Sequence, residues 1–114
     1  MLRAVFKMYS DLGRSIAVGF RSPQFLVLLS VSAMIATSGA AIMMRLEGWY
    51  FIDALYFCVV SMATVGYGDF TPVTVLGKIF TMAYLVVGIG VFVLTVSSLA
   101  EAIFTDFRKR LGDD

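Results

Sequence analysis

Two long apolar segments without a charged residue dominate the sequence. They run from residue 25 to 44 and from residue 79 to 100, a length of 20 and 22 residues. A helix of about 20 residues spans about 30 Å, which is the thickness of the hydrocarbon layer of a membrane. We therefore predict two transmembrane helices, an outer helix at about residues 24–45 and an inner helix at about residues 74–104.

A shorter apolar segment between them covers residues 51–63 and carries Asp53 near its start. A helix of that length covers only about 20 Å, so it enters the membrane without crossing it. The glycine-containing stretch 64–69 follows directly. Irregular backbone is tolerated at membrane depth only where it is buried in protein or lines water. The pattern thus predicts a re-entrant helix followed by a loop facing an aqueous path.

The N-terminal segment 1–22 has a basic amphipathic pattern. The basic residues recur on one face of the predicted helix: Arg3, Lys7, Arg14 and Arg21. The apolar residues recur at helical spacing on another face: Leu2, Val5, Phe6, Tyr9, Leu12, Ile16 and Phe20. This pattern is typical of a helix lying along a membrane surface. A simple anchor and a frayed leader are the alternatives, and a role of the helix in gating is left open.

Composition agrees with a membrane protein and excludes several classes of site. Of the 114 residues 60% are hydrophobic, and the mean hydropathy is +0.90, which is too apolar for a soluble fold of this size. The net charge of +1 gives no basic field for a nucleic acid. With a single cysteine and no histidine, a zinc site or a Cys-His catalytic pair is excluded, and we expect no enzymatic activity and no cofactor.

The distribution of charge predicts the orientation in the membrane. Seven of the nine Lys and Arg residues flank the two ends of the chain, and only Arg45 and Lys78 lie between the long apolar segments. Because positive residues favour the cytoplasmic side, we expect both termini to be cytoplasmic, with residues 105–114 forming a cytoplasmic tail. Asp69 then faces the outside of the cell.

The stretch from Thr64 to Asp69 suggests chemistry performed by the backbone. Gly66 and Gly68 tolerate the left-handed conformations that aim successive carbonyl groups at one axis. Val65 and Tyr67 would then point away from that axis. Stacked carbonyls and a threonine hydroxyl can replace the water shell of a potassium ion, so we predict an ion site formed by Thr64, Val65, Gly66 and Tyr67.

One copy of this loop supplies only one wall of such a site. Surrounding an ion requires four copies, so a chain with a single loop assembles with three identical subunits into a homotetramer. The alternative of a nucleotide-binding loop is disfavoured, because Thr71 stands where a dinucleotide fingerprint needs a glycine and no Gly-Lys-Ser/Thr ending is present.

These residues resemble the pore module of the potassium channel superfamily. Residues 61–69 match its signature sequence, which contains the TVGYG filter loop. The layout of residues 23–104 is similar to small two-helix prokaryotic channels, notably bacterial sodium-potassium channel pores. Segments at 47–48, 52–57 and 77–81 carry that likeness. Those non-selective relatives have Asp where this chain has Tyr67, so the resemblance implies potassium selectivity.

The resemblance also implies roles for residues around the filter. Gly88 takes the inner-helix hinge position, with close helix packing as the alternative reading. Asp69 forms a ring of carboxylates at the pore mouth and can accept a hydrogen bond from Tyr56, while Phe57 has no donor for Tyr67. We therefore expect Gly68, Asp69 and Tyr56 to support the filter. We also expect fewer hydrogen bonds from the pore helix to the filter than in many potassium channels, so the filter is less firmly braced.

The lower inner helix supplies candidates for a gate. A ring of apolar side chains at the cytoplasmic exit can close a pore by excluding water. The candidates at roughly helical spacing are Phe92, Val93, Val96, Ser97 and Ala100.

The sequence therefore predicts an all-α membrane protein, with two transmembrane helices and a re-entrant pore helix, that passes K⁺ passively across the cell membrane as a homotetramer. Three other functions remain open. They are a weakly selective monovalent cation channel, a subunit of a potassium transporter and a non-conducting membrane scaffold.

Overall fold

The computed structural model describes residues 1–112, and these contain four helices and no strand. The helices are α1 (Leu2–Phe20), α2 (Pro23–Glu47), α3 (Phe51–Met62) and α4 (Val75–Gly112). Of these, α2 and α4 are long and apolar enough to cross a membrane. The expectation of an all-α fold with two spanning helices and a short helix between them is confirmed.

The ends of the helices follow from local sequence. Pro23 opens α2, where its missing N–H costs no hydrogen bond, and Leu26 N–H bonds to the Ser22 carbonyl at 3.0 Å. Gly48, with φ of +75°, follows the end of α2. Thr74 caps α4, because its Oγ1 accepts the Gly77 N–H at 3.0 Å.

Helix α4 is longer than predicted. It continues to Gly112, so residues 105–112, which we expected to form a tail, are helical, and residues 113–114 lie outside the described part of the chain. The physical reason is local. Arg110 and Asp106 form an ion pair one turn apart at 2.7 Å, and basic residues in the last turn interact favourably with the helix dipole.

The chain divides into two compact units, which are described separately. The first consists of Ser30–Val93 and holds the hydrophobic core. This core is built from small or flexible residues of α2, all of α3's buried face and one aromatic ring of α4. Its buried members are Ala36, Ala40, Met43, Ala54, Phe57, Cys58, Met62 and Tyr84.

One contact fixes the re-entrant helix within this unit. The Tyr84 hydroxyl donates a hydrogen bond to the Cys58 carbonyl at 3.0 Å, and both residues are buried. Gly39 on α2 allows this arrangement, because a Cβ there would lie 2.8 Å from the Tyr84 ring and 3.1 Å from Cys58 Sγ. Small residues of α2 therefore set how closely the three helices approach each other.

The second unit combines the N-terminal residues 1–29 with the C-terminal part of the chain from Leu94 onward. Here α1 packs against α4 through its small and polar face, which buries Asp11, Ser15 and Gly19. Ser15 Oγ donates to Asp106 Oδ2 at 2.8 Å, and a Cβ on Gly19 would overlap the Ile103 side chain. The apolar residues of α1 stay exposed, which suits a helix that touches lipid.

Candidate functional site

The loop 64–69 begins at the C-terminal end of α3 and caps that helix with its own backbone. The N–H of Thr64 bonds to the Ser61 carbonyl at 3.0 Å, and the N–H groups of Val65 and Gly66 both bond to the Val60 carbonyl, at 3.0 and 3.3 Å. Three successive N–H groups therefore point at the end of α3.

The carbonyl groups of the same peptide units point the opposite way. No cis peptide bond is found in residues 1–112, and in a trans peptide the C=O lies antiparallel to the N–H. The carbonyls of Ala63, Thr64 and Val65 consequently face away from α3. The C-terminal end of α3 thus fixes the direction of the Thr64 and Val65 carbonyls, which are two of the carbonyls predicted to bind an ion.

The backbone of the loop alternates in handedness. Thr64, Gly66 and Gly68 have positive φ values of 64°, 53° and 83°, whereas Val65 and Tyr67 do not. Such alternation places successive N–H groups on one side of the chain and successive carbonyls on the other. The loop therefore presents a row of backbone oxygens to one side.

Thr64 is the only non-glycine residue with positive φ within residues 1–112. A branched side chain in this conformation is strained by about 1–2 kcal/mol, and such strain is concentrated at functional sites. The three capping hydrogen bonds described above hold the strained turn in place. These hydrogen bonds therefore also fix the direction of the Thr64 carbonyl.

Aromatic rings surround the loop on the side of α3. The Trp49 ring packs edge-on against Phe57 at 5.1 Å and against Phe70 at 5.6 Å between centroids, and Phe70 also meets Tyr56 at 6.3 Å. Edge-to-face pairs of this kind contribute about 0.5–1.5 kcal/mol each beyond the area they bury. This aromatic cluster joins the residues before α3, α3 itself and the residue after the loop.

The Tyr56 hydroxyl and the Asp69 carboxylate lie close enough to interact electrostatically. Phe57 offers no donor, and a cavity of about 140 Å³ remains between α3 and the loop. The lining of the cavity includes Phe57, Val60, Ser61 and Tyr67. Only the Asp69 end of the loop thus has a polar side-chain partner on α3 among these residues, and the prediction of a weakly braced filter stays open.

Glu47, at the end of α2, holds the start of α4. Its carboxylate accepts the Val73 N–H at 2.7 Å, the Thr74 N–H at 3.1 Å and the Thr74 hydroxyl. The Thr74 hydroxyl, followed by the backbone donors and Lys78, lowers the pKa of Glu47 below its usual value. A Cβ at Gly77 would overlap this carboxylate, so a larger residue there would displace the Glu47 side chain.

This arrangement predicts a pH dependence of stability. Because the pKa of Glu47 is lowered on folding, its carboxylate stabilises the fold above pH 4.5, and that contribution is lost as the pH falls through the lowered pKa. We expect Glu47→Gln to be less stable than the wild type at neutral pH, with a difference that narrows below pH 4.5. Thermal unfolding of both proteins across pH measures this, and a difference that stayed constant would contradict it.

Comparison with known proteins identifies the class of this site. A family model described as an ion channel matches residues 25–105. The chain belongs to this ion channel family. The match includes the re-entrant helix, the loop and most of both spanning helices, so the chain is a membrane protein of an ion channel family.

Individual relatives are potassium channels by name. The chain is 44% identical over 71 residues to Potassium channel protein 1 and 38% identical over 82 residues to Probable potassium channel protein 2, both of Methanocaldococcus jannaschii. These alignments cover 61% and 72% of this chain but 21% and 24% of the relatives. Two-pore potassium channel 2 of Arabidopsis thaliana is 46% identical over 52 residues, which are 46% of this chain and 12% of that protein.

These relatives bear out the resemblance to a potassium channel pore module. They also set its extent, since the chain spans about a fifth to a quarter of the length of the two archaeal proteins. We call residues 64–69 the filter loop and α3 the pore helix from here on.

The inner helix of this channel runs unbroken through the predicted hinge. A Cβ at Gly88 would meet Tyr84 at 3.5 Å and Met62 at 3.6 Å, which are ordinary contacts, and one at Gly90 would meet nothing within 4 Å. Packing within one chain therefore does not require glycine at either position.

The predicted gate residues differ in their surroundings. Phe92 packs against the hydrophobic core. The other four are exposed within their own units: Val93, Val96, Ser97 and Ala100. Side chains that are exposed in one chain are available to line a pore or to meet another subunit. Their gating role stays a prediction.

Several residues that support the filter loop were not predicted. The sequence-based predictions assign no role to Trp49, Glu47 or Tyr84. Each acts through a partner at least eight residues away, as in the 26-residue separation of Tyr84 and Cys58. Local sequence patterns carry no signal for such pairs.

Proposed function

We propose that this chain forms a potassium-selective channel that conducts K⁺ passively through a homotetrameric pore. The main support is the direction of the filter-loop carbonyls, which face away from the pore helix while the N–H groups of the same peptides are held by it. An ion that loses its water needs oxygen ligands on all sides, and one loop supplies them on one side only. Four loops around an axis complete the shell.

In this proposal the ion ligands are the backbone oxygens of Thr64, Val65, Gly66 and Tyr67, with the Thr64 hydroxyl below them. Gly68 allows the last turn of the loop, and Asp69, which lies beside Tyr56, adds a ring of four carboxylates at the outer mouth. Oxygen ligands on a firm backbone suit an alkali cation.

The pore helix contributes electrostatically. Its N-terminal turn carries Asp53, and its C-terminal end points at the filter loop through the Val60 carbonyl. The negative end of a helix dipole favours a cation within about one turn. A cation leaving the lower end of the filter is therefore stabilised by four such helix ends.

The proposed location is the cell membrane, with both termini in the cytoplasm. The distribution of Lys and Arg supports this orientation, because only Arg45 and Lys78 lie between the two uncharged segments, residues 25–44 and 79–100. The filter mouth then faces outward. An ion that enters from outside therefore meets the carbonyl-lined loop before it reaches the inner helices.

Flux through purified protein in liposomes tests the proposal. Liposomes are loaded with potassium, and a trace of radioactive rubidium is added outside. We expect these liposomes to take up rubidium, whereas liposomes loaded with sodium instead of potassium do not. Equal uptake driven by sodium would instead identify a weakly selective cation channel, which the open space behind the filter loop would favour. Absence of any flux would support a scaffold.

A further inference from the structure

The last turn of the pore helix is bound to the inner helix α4 on one side and carries the filter loop on the other. Four consecutive carbonyl groups of this turn, at residues 58–61, accept hydrogen bonds from residues beyond the pore helix. The Tyr84 hydroxyl of α4 donates to the first of them, the Cys58 carbonyl, at 3.0 Å. The next three accept the N–H groups of residues 63–66. A single helical turn therefore connects the inner helix to the backbone of the filter loop.

A second contact between the same two helices fixes their relative direction. A Cβ at Gly88 would lie 3.6 Å from the Met62 side chain, so Gly88 lies beside Met62 as Tyr84 lies beside Cys58. Both pairs have the same separation in sequence, and four residues make about one helical turn, so the two helices run in the same direction here. A slide of the pore helix along α4 would disrupt both contacts together.

Only one of these two contacts is directional. The flexible Met62 side chain adapts to a small displacement, and Gly88 has no side chain. The Tyr84 hydroxyl, in contrast, must meet the Cys58 carbonyl at a defined distance and angle. Both residues are buried, so water does not replace this hydrogen bond if it breaks. Within residues 1–112, no other pair of residues joins the pore helix to a membrane-spanning helix by a hydrogen bond.

The position of this turn determines where the loop carbonyls lie. The carbonyls of Val60 and Ser61 hold the start of the loop, and the Thr64 and Val65 carbonyls point away from them. In a ring of four chains, a displacement of every loop changes every distance between an ion and its oxygen ligands. K⁺ and Na⁺ differ in size and in their need for oxygen ligands, so such a displacement changes their relative permeation.

We propose that the Tyr84 hydroxyl is a positioning group for ion selectivity. It holds the last turn of the pore helix against the inner helix, so that four filter loops keep the spacing that favours K⁺ over Na⁺. Tyr84 touches no ion and acts through the Cys58 carbonyl. The inference rests on the proposed function, and it concerns discrimination between cations rather than conduction itself.

Tyr84→Phe tests this, because it removes the hydroxyl and keeps the ring that packs against α2. The Cys58 carbonyl retains the Met62 N–H as its partner within the pore helix, so no carbonyl is left unsatisfied. Purified full-length protein is placed in planar bilayers with K⁺ on one side and Na⁺ on the other, and the reversal potential is measured. We expect the sodium-to-potassium permeability ratio to rise about fivefold, the factor that corresponds to one neutral hydrogen bond. The potassium conductance is expected to change by less than about twofold.

The hydrogen bond itself is observed in a separate measurement. Cys58 is the single cysteine of the chain, so cysteine labelled with ¹³C at its carbonyl marks one peptide group. Infrared spectra of the labelled and unlabelled protein isolate the stretching band of that carbonyl. Losing a hydrogen bond strengthens a C=O bond, so we expect Tyr84→Phe to shift this band to higher frequency.

Thr95→Val is the matched control. The Thr95 hydroxyl is also buried in α4, but it donates to the Leu28 carbonyl of α2 at 3.3 Å instead of to the pore helix. We expect this variant to lose thermal stability as Tyr84→Phe does, with an unchanged permeability ratio and an unchanged Cys58 band. Gly39→Ala is a second test variant, because its Cβ lies 2.8 Å from the Tyr84 ring and displaces it. Its permeability ratio is expected to rise.

Three results would overturn the inference. They are a shifted Cys58 band in Tyr84→Phe with an unchanged permeability ratio, a band that does not shift, and an equal rise of the ratio in Thr95→Val. If Tyr84→Phe does not assemble, an unchanged ratio in Gly39→Ala is the contradicting result. Equal permeability of the wild type to both cations is a distinct outcome, since it contradicts the proposed function and this inference with it.

Discussion

Gly66→Ala and Gly68→Ala are each expected to reduce potassium flux at least a hundredfold while leaving the helices folded. Their φ values of +53° and +83° are strained for a residue with a Cβ by about 1–2 kcal/mol, and a tetramer carries that strain four times. Nothing in the same chain lies within 4 Å of either Cβ, so the loop is free to relax its backbone. Relaxation turns the carbonyls away from their common direction.

The matched control is Gly13→Ala. Gly13 lies in helix α1, is exposed and also has nothing within 4 Å of a Cβ, but its φ is not positive. Alanine there is expected to stabilise the helix by up to about 1 kcal/mol and to leave flux unchanged. Rubidium uptake and circular dichroism measure the two effects, and filter-loop variants with normal flux would show that left-handed backbone is unnecessary for conduction.

Gly39→Ala is expected to destabilise the protein by about 1–3 kcal/mol through overpacking. The added Cβ lies 2.8 Å from the Tyr84 ring, which is buried and held by its hydrogen bond to the pore helix. To make room, either the ring or the pore helix moves. We therefore expect lower thermal stability and, because the pore helix carries the filter loop, reduced flux.

Gly90→Ala controls for the effect of alanine in a spanning helix. No atom lies within 4 Å of a Cβ at Gly90, so alanine is accommodated without displacement. Thermal unfolding in detergent compares the two variants. Equal stability of Gly39→Ala and Gly90→Ala would show that the close contact between α2, Tyr84 and Cys58 does not limit packing.

The fold was accessible from sequence because the membrane imposes simple rules. A helix must be about 20 residues long and free of charge to span the hydrocarbon layer, so the presence and approximate position of α2 and α4 follow from the two uncharged segments. The short pore helix follows from the same rule, since its apolar segment is too short to cross. The end of α4 did not follow, because an ion pair between Asp106 and Arg110 extends it beyond the apolar segment.

The filter loop was accessible because glycines at fixed spacing mark left-handed backbone. Gly66 and Gly68 do have positive φ, but Thr64 also does, and a β-branched residue gives no sequence signal for this conformation. Its conformation is imposed by hydrogen bonds to Ser61 and Val60 at the end of the pore helix. Tertiary context overrides the local preference of threonine at this position.

Contacts between distant residues were not accessible from sequence. The Glu47 carboxylate reaches Val73 and Thr74 across 26 and 27 residues, and Ser15 reaches Asp106 across 91. Each of these residues is unremarkable among polar residues at helix ends. Only the folded structure shows that they connect distant parts of the chain.

The most direct test of the account is a crystal structure of the protein grown in rubidium, with anomalous scattering used to locate the ions. We predict a fourfold axis with rubidium peaks along it, each surrounded by backbone oxygens of Thr64, Val65, Gly66 or Tyr67 from four chains. A filter loop lying away from any symmetry axis, or an axis without rubidium beside these carbonyls, would contradict the account.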